Sequence, residues 1–179
     1  MPQGGLELFT GIFLPSSDHD LGGAARPSQP LDAAPLFGAR LSILPFPQAG
    51  VEGELAFANS STEDGKHASL WHTRGHLLVQ LPTTVVTPFI LAGVGQLRLT
   101  SESLGNDRDL AAHFGAGLKR VIARDFTVRL DLRDNVSESA FADGSLAHHA
   151  EVLLSFGLAL RLPADRRPTD EATAKEPSP

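Results

Sequence analysis

The sequence predicts an all-β chain folded as an eight-stranded antiparallel up-and-down β-barrel. Three observations predict it. Apolar and polar residues alternate with a period of two over most of the chain, whereas helical periodicity is scarce. Eight such alternating segments follow one another. The connections between them are long and short in turn, as hairpins strung around a closed sheet would have them.

Successive side chains of a strand point to opposite faces, so each segment can be sorted into two sides. The first strand, residues 6–13, sets Leu6, Leu8, Thr10 and Ile12 against Glu7, Phe9 and Gly11. The second, residues 36–44, sets Phe37, Ala39, Leu41 and Ile43 against Gly38, Arg40 and Ser42. In the third, residues 50–59, Val51, Gly53, Leu55 and Phe57 oppose Glu52, Glu54, Ala56 and Ala58. In the fourth, residues 68–81, Trp71, Thr73, Leu77, Val79 and Leu81 face away from His72, Arg74, His76 and Gln80. The fifth, residues 87–100, alternates least cleanly and its faces stay unassigned. The sixth, residues 110–120, sets Ala112, Phe114, Ala116 and Leu118 against His113, Gly115, Gly117 and Lys119. The seventh alternates most sharply, with Phe126, Val128, Leu130 and Leu132 between Thr127, Arg129, Asp131 and Arg133. The eighth, residues 148–162, opposes Ala150, Val152, Leu154, Phe156, Leu158 and Leu160 to His149, Glu151, Ser155, Gly157 and Arg161.

The links after strands one, three, five and seven are long and polar: residues 15–34, 60–67, 101–109 and 134–147. Those after strands two, four and six are short: residues 45–49, 82–86 and 121–125. Alternate links of an up-and-down barrel lie at one end. The long loops are therefore expected at one end, and the short turns with both termini at the other, a segregation typical of membrane barrels. Residues 1–162 form the expected barrel domain. Residues 163–179 carry Pro, Thr, Ala and charges but no large apolar side chain. That composition cannot bury a core and is expected to be a disordered linker or tail.

Bulk properties exclude several classes. A mean hydropathy of -0.05 does not separate a soluble barrel from a membrane one, because lipid-facing and lumen-facing residues average out. No run approaches the roughly 20 apolar residues of a transmembrane helix; the longest, residues 152–160, is broken by Ser155 and Gly157. The absence of cysteine excludes a disulfide scaffold and a Cys-ligated metal. A net charge of -6 argues against nucleic acid as a partner. Met1-Pro2-Gln3-Gly4-Gly5 has neither the basic nor the apolar region of a signal peptide, so none is expected within this chain.

The decisive question is where the charged face points. Glu7, Arg40, Glu52, Glu54, Arg74, Arg129, Asp131, Arg133, His149 and Glu151 all lie mid-strand. In a soluble barrel they would be solvated, with the apolar face inside. In a membrane barrel the apolar face meets lipid and the charges fill the lumen. Two features favour the second arrangement. Gly38, Gly115, Gly117 and Gly157 share the charged face, where glycine would weaken a solvated strand but makes room for arginine and histidine side chains inside a narrow tube. Acids and bases are also balanced across that face, as buried charges require. The ten residues are thus expected to form a structural ion-pair network. Eight strands leave an interior just wide enough for side chains, so no large pore is expected.

A resemblance rests on four segments. They are Pro88-Phe89-Ile90-Leu91-Ala92-Gly93-Val94-Gly95, His113-Phe114-Gly115-Ala116-Gly117-Leu118-Lys119, Arg129-Leu130-Asp131-Leu132-Arg133-Asp134 and His148-His149-Ala150-Glu151. In order and spacing they resemble the OmpA-like outer-membrane β-barrel family over about residues 6–162. The resemblance implies a transmembrane barrel in the outer membrane of a Gram-negative bacterium. Many members carry a periplasmic peptidoglycan-binding domain beyond such a linker; these 179 residues include none, so cell-wall binding is not implied. With no tyrosine and one tryptophan, Trp71, aromatic girdles would rest on phenylalanine and Trp71.

Catalytic and metal chemistry find little support. His148 and His149 are adjacent and would point to opposite faces. His72 and His76 would stand roughly 13 Å apart at about 3.3 Å per residue, with Arg74 between them to repel a cation. His149, Glu151 and Ser155 share a face, but Ser155 lies too far along the strand from His149 for a hydrogen bond. Gly93-Val94-Gly95 and Gly115-Ala116-Gly117 precede no helix, so they are not dinucleotide-binding loops. No cofactor and no enzymatic activity are expected. The leading expectation is an outer-membrane structural anchor or scaffold, with long loops extracellular and both termini periplasmic. Its partners would be outer-membrane lipid and, through the loops and tail, periplasmic or extracellular proteins. The alternatives are a soluble, lipocalin-like ligand-binding barrel, which the missing signal peptide favours, and a lipid A-modifying barrel enzyme acting through His149 or Ser155.

Overall fold

The period-two alternation closes into a single sheet in a computed structural model of the chain. The structure describes residues 3–16, 32–61, 67–101, 105–123, 125–138 and 146–161. The strands are β1 (Gln3–Leu14), β2 (Ala34–Phe46), β3 (Ala49–Ser61), β4 (His67–Gln80), β5 (Thr87–Ser101), β6 (Gly105–Ala123), β7 (Phe126–Glu138) and β8 (Leu146–Arg161). They form a closed barrel in sequence order. Every neighbouring pair is antiparallel, and β1 closes on β8 from Gln3↔Arg161 to Leu14↔Ala150. Closure removes the unpaired edges an open sheet would expose. Among the described residues all regular structure is strand.

β1 starts, and β8 ends, at the end where β2 turns into β3 and β6 into β7. The other end carries the links after β1, β3, β5 and β7. One expectation about those links changes. β5 and β6 stay paired up to Ser101↔Gly105, so the third link spans only residues 102–104. The polar residues 105–109 are strand because each exposed backbone group still finds a cross-strand partner. β6 pairs with β7 only from Ala112↔Val136, so the β5–β6 hairpin runs on beyond that seam. The tail, residues 163–179, and most of the longer links fall outside the described residues.

The barrel is inverted relative to a soluble one. The outward side is apolar and exposed, with Leu8 at 65%, Ile90 at 62% and Leu130 at 44% relative exposure. The inward side holds Arg40, Arg129, Asp131 and Glu151, each exposed by 1% or less. Among the residues whose side chains are described, every face sorted from the sequence keeps its sorting, because a strict two-residue period specifies it strongly. β5 now receives its assignment. Phe89, Leu91, Leu97 and Leu99 point inward, whereas Gln96, Arg98 and Thr100 follow Ile90, Ala92 and Val94 on the outside. Its inner face is apolar throughout, which is why alternation could not sort it.

Candidate functional site

The inward residues stack in tiers along the barrel axis. At the short-turn end Leu44, Leu78, Phe89 and Leu91 form a small apolar cluster. Beside it a cavity of about 410 Å³, lined by Glu7, Ser42, Lys119 and Thr127 among others, opens at that end. The middle of the lumen is charged. Toward the other end Phe13, Ala34, Leu36, Ala58, Ala68, Leu70, Leu97, Leu99 and Leu153 belong to a second, larger apolar cluster. The lumen is therefore not polar along its whole length, contrary to the expectation of a tube filled by charged pairs.

The charged tier is built from strands on opposite walls. Arg40 on β2 donates from Nη1 to Glu7 at 2.7 Å on β1 and from Nε to Glu54 at 2.9 Å on β3. Arg74 on β4 pairs with Glu54 and reaches across to Glu151 on β8 at 2.7 Å and to Asn135 on β7 at 3.0 Å. Arg129 on β7 spans the lumen to Glu52 at 2.8 Å and bonds Asp131 on its own strand at 2.8 Å. Arg133, four residues beyond Arg129, does the same with Glu54 at 2.9 Å and Asp131 at 3.2 Å. Glu54 thus accepts from three guanidiniums, Arg40, Arg74 and Arg133. Charges taken out of water are tolerable only when paired and hydrogen-bonded in this way.

Nine of the ten residues singled out in the sequence meet in this network. His149 lies in the same lumen but has contacts of another kind. Its Nδ1 accepts from the Ser16 backbone N–H at 3.0 Å, its Nε2 faces Ser137 Oγ at 3.2 Å, and its ring stacks on Phe13 at 5.6 Å. Ser155 Oγ accepts from Arg40 at 3.3 Å. His149 and Ser155 are therefore both turned inward, away from any lipid-facing surface on which an acyl hydrolase would act. Other network members were read differently from sequence. His72 meets Glu151 at 3.2 Å, His76 meets Glu52 at 2.8 Å, and His113 meets His76 at 3.2 Å. Their signal was parity: His72 and His76 share the face of Arg74. Among the described residues no group of His, Asp and Glu has the arrangement of a metal site.

The inward glycines act as seats for large side chains. A Cβ at Gly38 would collide with the ring of its cross-strand partner Phe9, and one at Gly117 with the ring of its partner Phe89. Each ring, laid flat by its glycine, supports a guanidinium. The Arg40 carbon lies 5.1 Å from the Phe9 centroid and the Arg129 carbon 4.1 Å from that of Phe89. At Gly115 a Cβ would fall 2.9 Å from Arg133 Cγ, and at Gly157 it would meet the stem of Glu7. The two aromatic seats escaped the sequence reading, which reserved that room for arginine and histidine alone.

The charged side chains of this tier are buried. Above the charged tier, Phe13, His72, Arg74 and His113 line a cavity of about 10 Å³, room for about one water.

Comparison with solved structures returns eight-stranded outer-membrane barrels. Neisserial surface protein A (NspA) superposes with a TM-score of 0.57 at 11% identity, over 87% of this chain and 96% of that one. OprG from Pseudomonas aeruginosa gives 0.55 at 13% identity, over 89% and 97%. Ail, the attachment invasion locus protein of Yersinia pestis, crystallised with the heparin analogue sucrose octasulfate, gives 0.52 at 15% identity, over 88% and 99%. At these identities the likeness is one of fold. No protein-family model and no curated protein matches the sequence.

Proposed function

We propose that this protein spans the outer membrane of a Gram-negative bacterium and serves as a structural anchor or scaffold rather than as an enzyme. One observation carries the reading: large apolar side chains cover the outside of a closed barrel whose inside is charged. Exposed strand faces of this kind are stable in lipid, where a closed barrel satisfies every backbone group. In water the same surface would be a large apolar patch that promotes association. The shared fold with NspA, OprG and Ail supports the placement. A soluble ligand-binding barrel would need the opposite arrangement of faces. The ion-pair network holds the opposite walls together and leaves no room for a large pore. The ends after β1, β3, β5 and β7 face outward from the cell, and both termini face the periplasm.

Refolding from urea with and without detergent micelles tests the membrane reading. The expected result is a faster-migrating, heat-sensitive band on an unboiled denaturing gel only when detergent is present. A monodisperse, β-rich monomer in plain buffer overturns the reading. The chain has no cysteine, so one cysteine introduced among residues 20–25 reports orientation. It should react with an impermeant maleimide on intact cells; protection until the cells are lysed would reverse the proposed topology.

A further inference from the structure

One inward cation stands outside the ion-pair network. Arg40, Arg74, Arg129 and Arg133 each pair with a carboxylate. Lys119, on the inward side of β6 near the short-turn end, is half-buried. Among the described residues its ammonium has neither an ion-pair nor a hydrogen-bond partner. Glu7 is the carboxylate that attracts it most strongly, but Glu7 already accepts from Arg40 at 2.7 Å and lies 3.7 Å from Arg129. Directly opposite Lys119 on β7 stands Arg129, and like charges so placed work against a sheet.

Lys119 lines the cavity of about 410 Å³ that opens at this end. That volume lies within the range of small-molecule sites, roughly 300–1,000 Å³. Thr87, opposite Lys119 on β5, lines it too, with Gln80 and Thr127. These groups suit a ligand that carries hydroxyls. Glu7 and Asp125 also line the cavity. One ammonium beside two carboxylates suits a single negative charge, and a phosphate dianion would be repelled by both. We propose that this cavity binds a small hydroxylated monocarboxylate, with its carboxylate on the Lys119 ammonium and its hydroxyls toward Thr87 and Gln80. The contact is a charge-assisted hydrogen bond, and the bound negative charge offsets the repulsion between Lys119 and Arg129. The proposal rests on the membrane reading above only for the side from which the ligand arrives, the periplasm.

The protein, refolded in neutral detergent, is titrated by calorimetry with sodium gluconate, with sorbitol as its uncharged counterpart, and with inorganic phosphate. We expect saturable binding of gluconate, weakened at least tenfold in K119Q and kept within a few-fold of the parent in K119R, which retains the charge. A second readout needs no variant. The chain has three lysines, Lys66, Lys119 and Lys175, which mass spectrometry of peptides can tell apart. Gluconate should protect Lys119 from reductive methylation and leave the other two as reactive as before. Equal binding by parent and K119Q, a K119R as weak as K119Q, or a sorbitol response equal to that of gluconate overturns the proposal. Phosphate saturating in the same concentration range would make this a general anion site and overturn the monocarboxylate assignment. Each protein is first checked for the detergent-dependent, heat-sensitive band. Loss of that band in the parent defeats the membrane reading itself, whereas a retained band with no gluconate binding defeats only the site. Should K119Q not refold, the parent decides: methylation of Lys119 unchanged by gluconate overturns the proposal.

Discussion

The charged middle of the lumen and the apolar tier beyond it fill the same tube by opposite means. In the middle, Glu54 is shared among Arg40, Arg74 and Arg133, and each partner's position depends on the others. In the apolar tier, Leu36, Leu70, Leu99 and Leu153 pack among Ala34, Ala58 and Ala68 without directional bonds. The difference teaches what each tier can lose. Apolar packing degrades by the volume removed, and small neighbours can close part of a gap. A hydrogen-bonded set of buried charges fails by leaving a charge behind, which costs more than the lost bond.

The largest expected effect comes from stranding charge in the middle. Glu54→Leu leaves three guanidiniums short of a carboxylate and should destabilise the barrel by about 3–5 kcal/mol. Urea unfolding in detergent, followed by Trp71 fluorescence, measures it. Adding Arg133→Leu to that variant should restore part of the loss, because the second change removes a stranded charge. A double variant as unstable as the sum of its single changes would break the contrast drawn here.

Leu70→Ala, in the apolar tier, should cost about 2–4 kcal/mol, within the range for a buried leucine. Its neighbours Ala58 and Ala68 are small enough to move inward. An effect as large as that of Glu54→Leu would mean that the apolar tier is as rigidly specified as the charged one. Smaller again is Phe89→Leu, which keeps most of the buried volume over Gly117 but removes the ring beneath Arg129. About 1 kcal/mol is expected from the lost cation–π contact, read on the same unfolding curve. The smallest effect belongs to His148→Ala. Its imidazole pairs with Asp134 at 2.7 Å on the outside of the barrel but is 59% exposed. Screening and side-chain entropy should hold the change to within about 0.5 kcal/mol. A cost above 1 kcal/mol by the same measurement would show that charge pairing matters outside the lumen as well.

The charged half of this contrast was legible in the sequence; the apolar tier was not. A two-residue period assigns faces directly, so Arg129, Asp131 and Arg133 could be placed together on the inward side before any coordinates. The inverted sense of the barrel followed from where glycine and balanced charge coincided. Three things were not legible. The inner face of β5 is as apolar as its outer face over Ile90, Ala92 and Val94, so alternation carried no signal there. The extension of β5 and β6 to Ser101↔Gly105 depends on backbone pairing, to which polar side chains are no obstacle. The choice of partners across the lumen, such as Arg129 with Glu52 or Arg74 with Glu151, depends on barrel curvature and not on position along a strand. Face assignment is local, whereas partner choice is global.

Those cross-lumen partners also bear on how the chain reaches its final state. Arg129 and Glu52 are 77 residues apart in sequence, as are Arg74 and Glu151, and Arg133 and Glu54 are 79 apart. Hairpins can zip locally, and contacts between distant segments come with the larger entropic delay. A partly assembled sheet would therefore carry Arg129 and Arg133 without their carboxylates on β3. The bonds that make the middle of the lumen cooperative can form only as the last seam shuts. Closure and charge neutralisation thus become one kinetic event, and an unfinished barrel carries charges that only the finished one can pair.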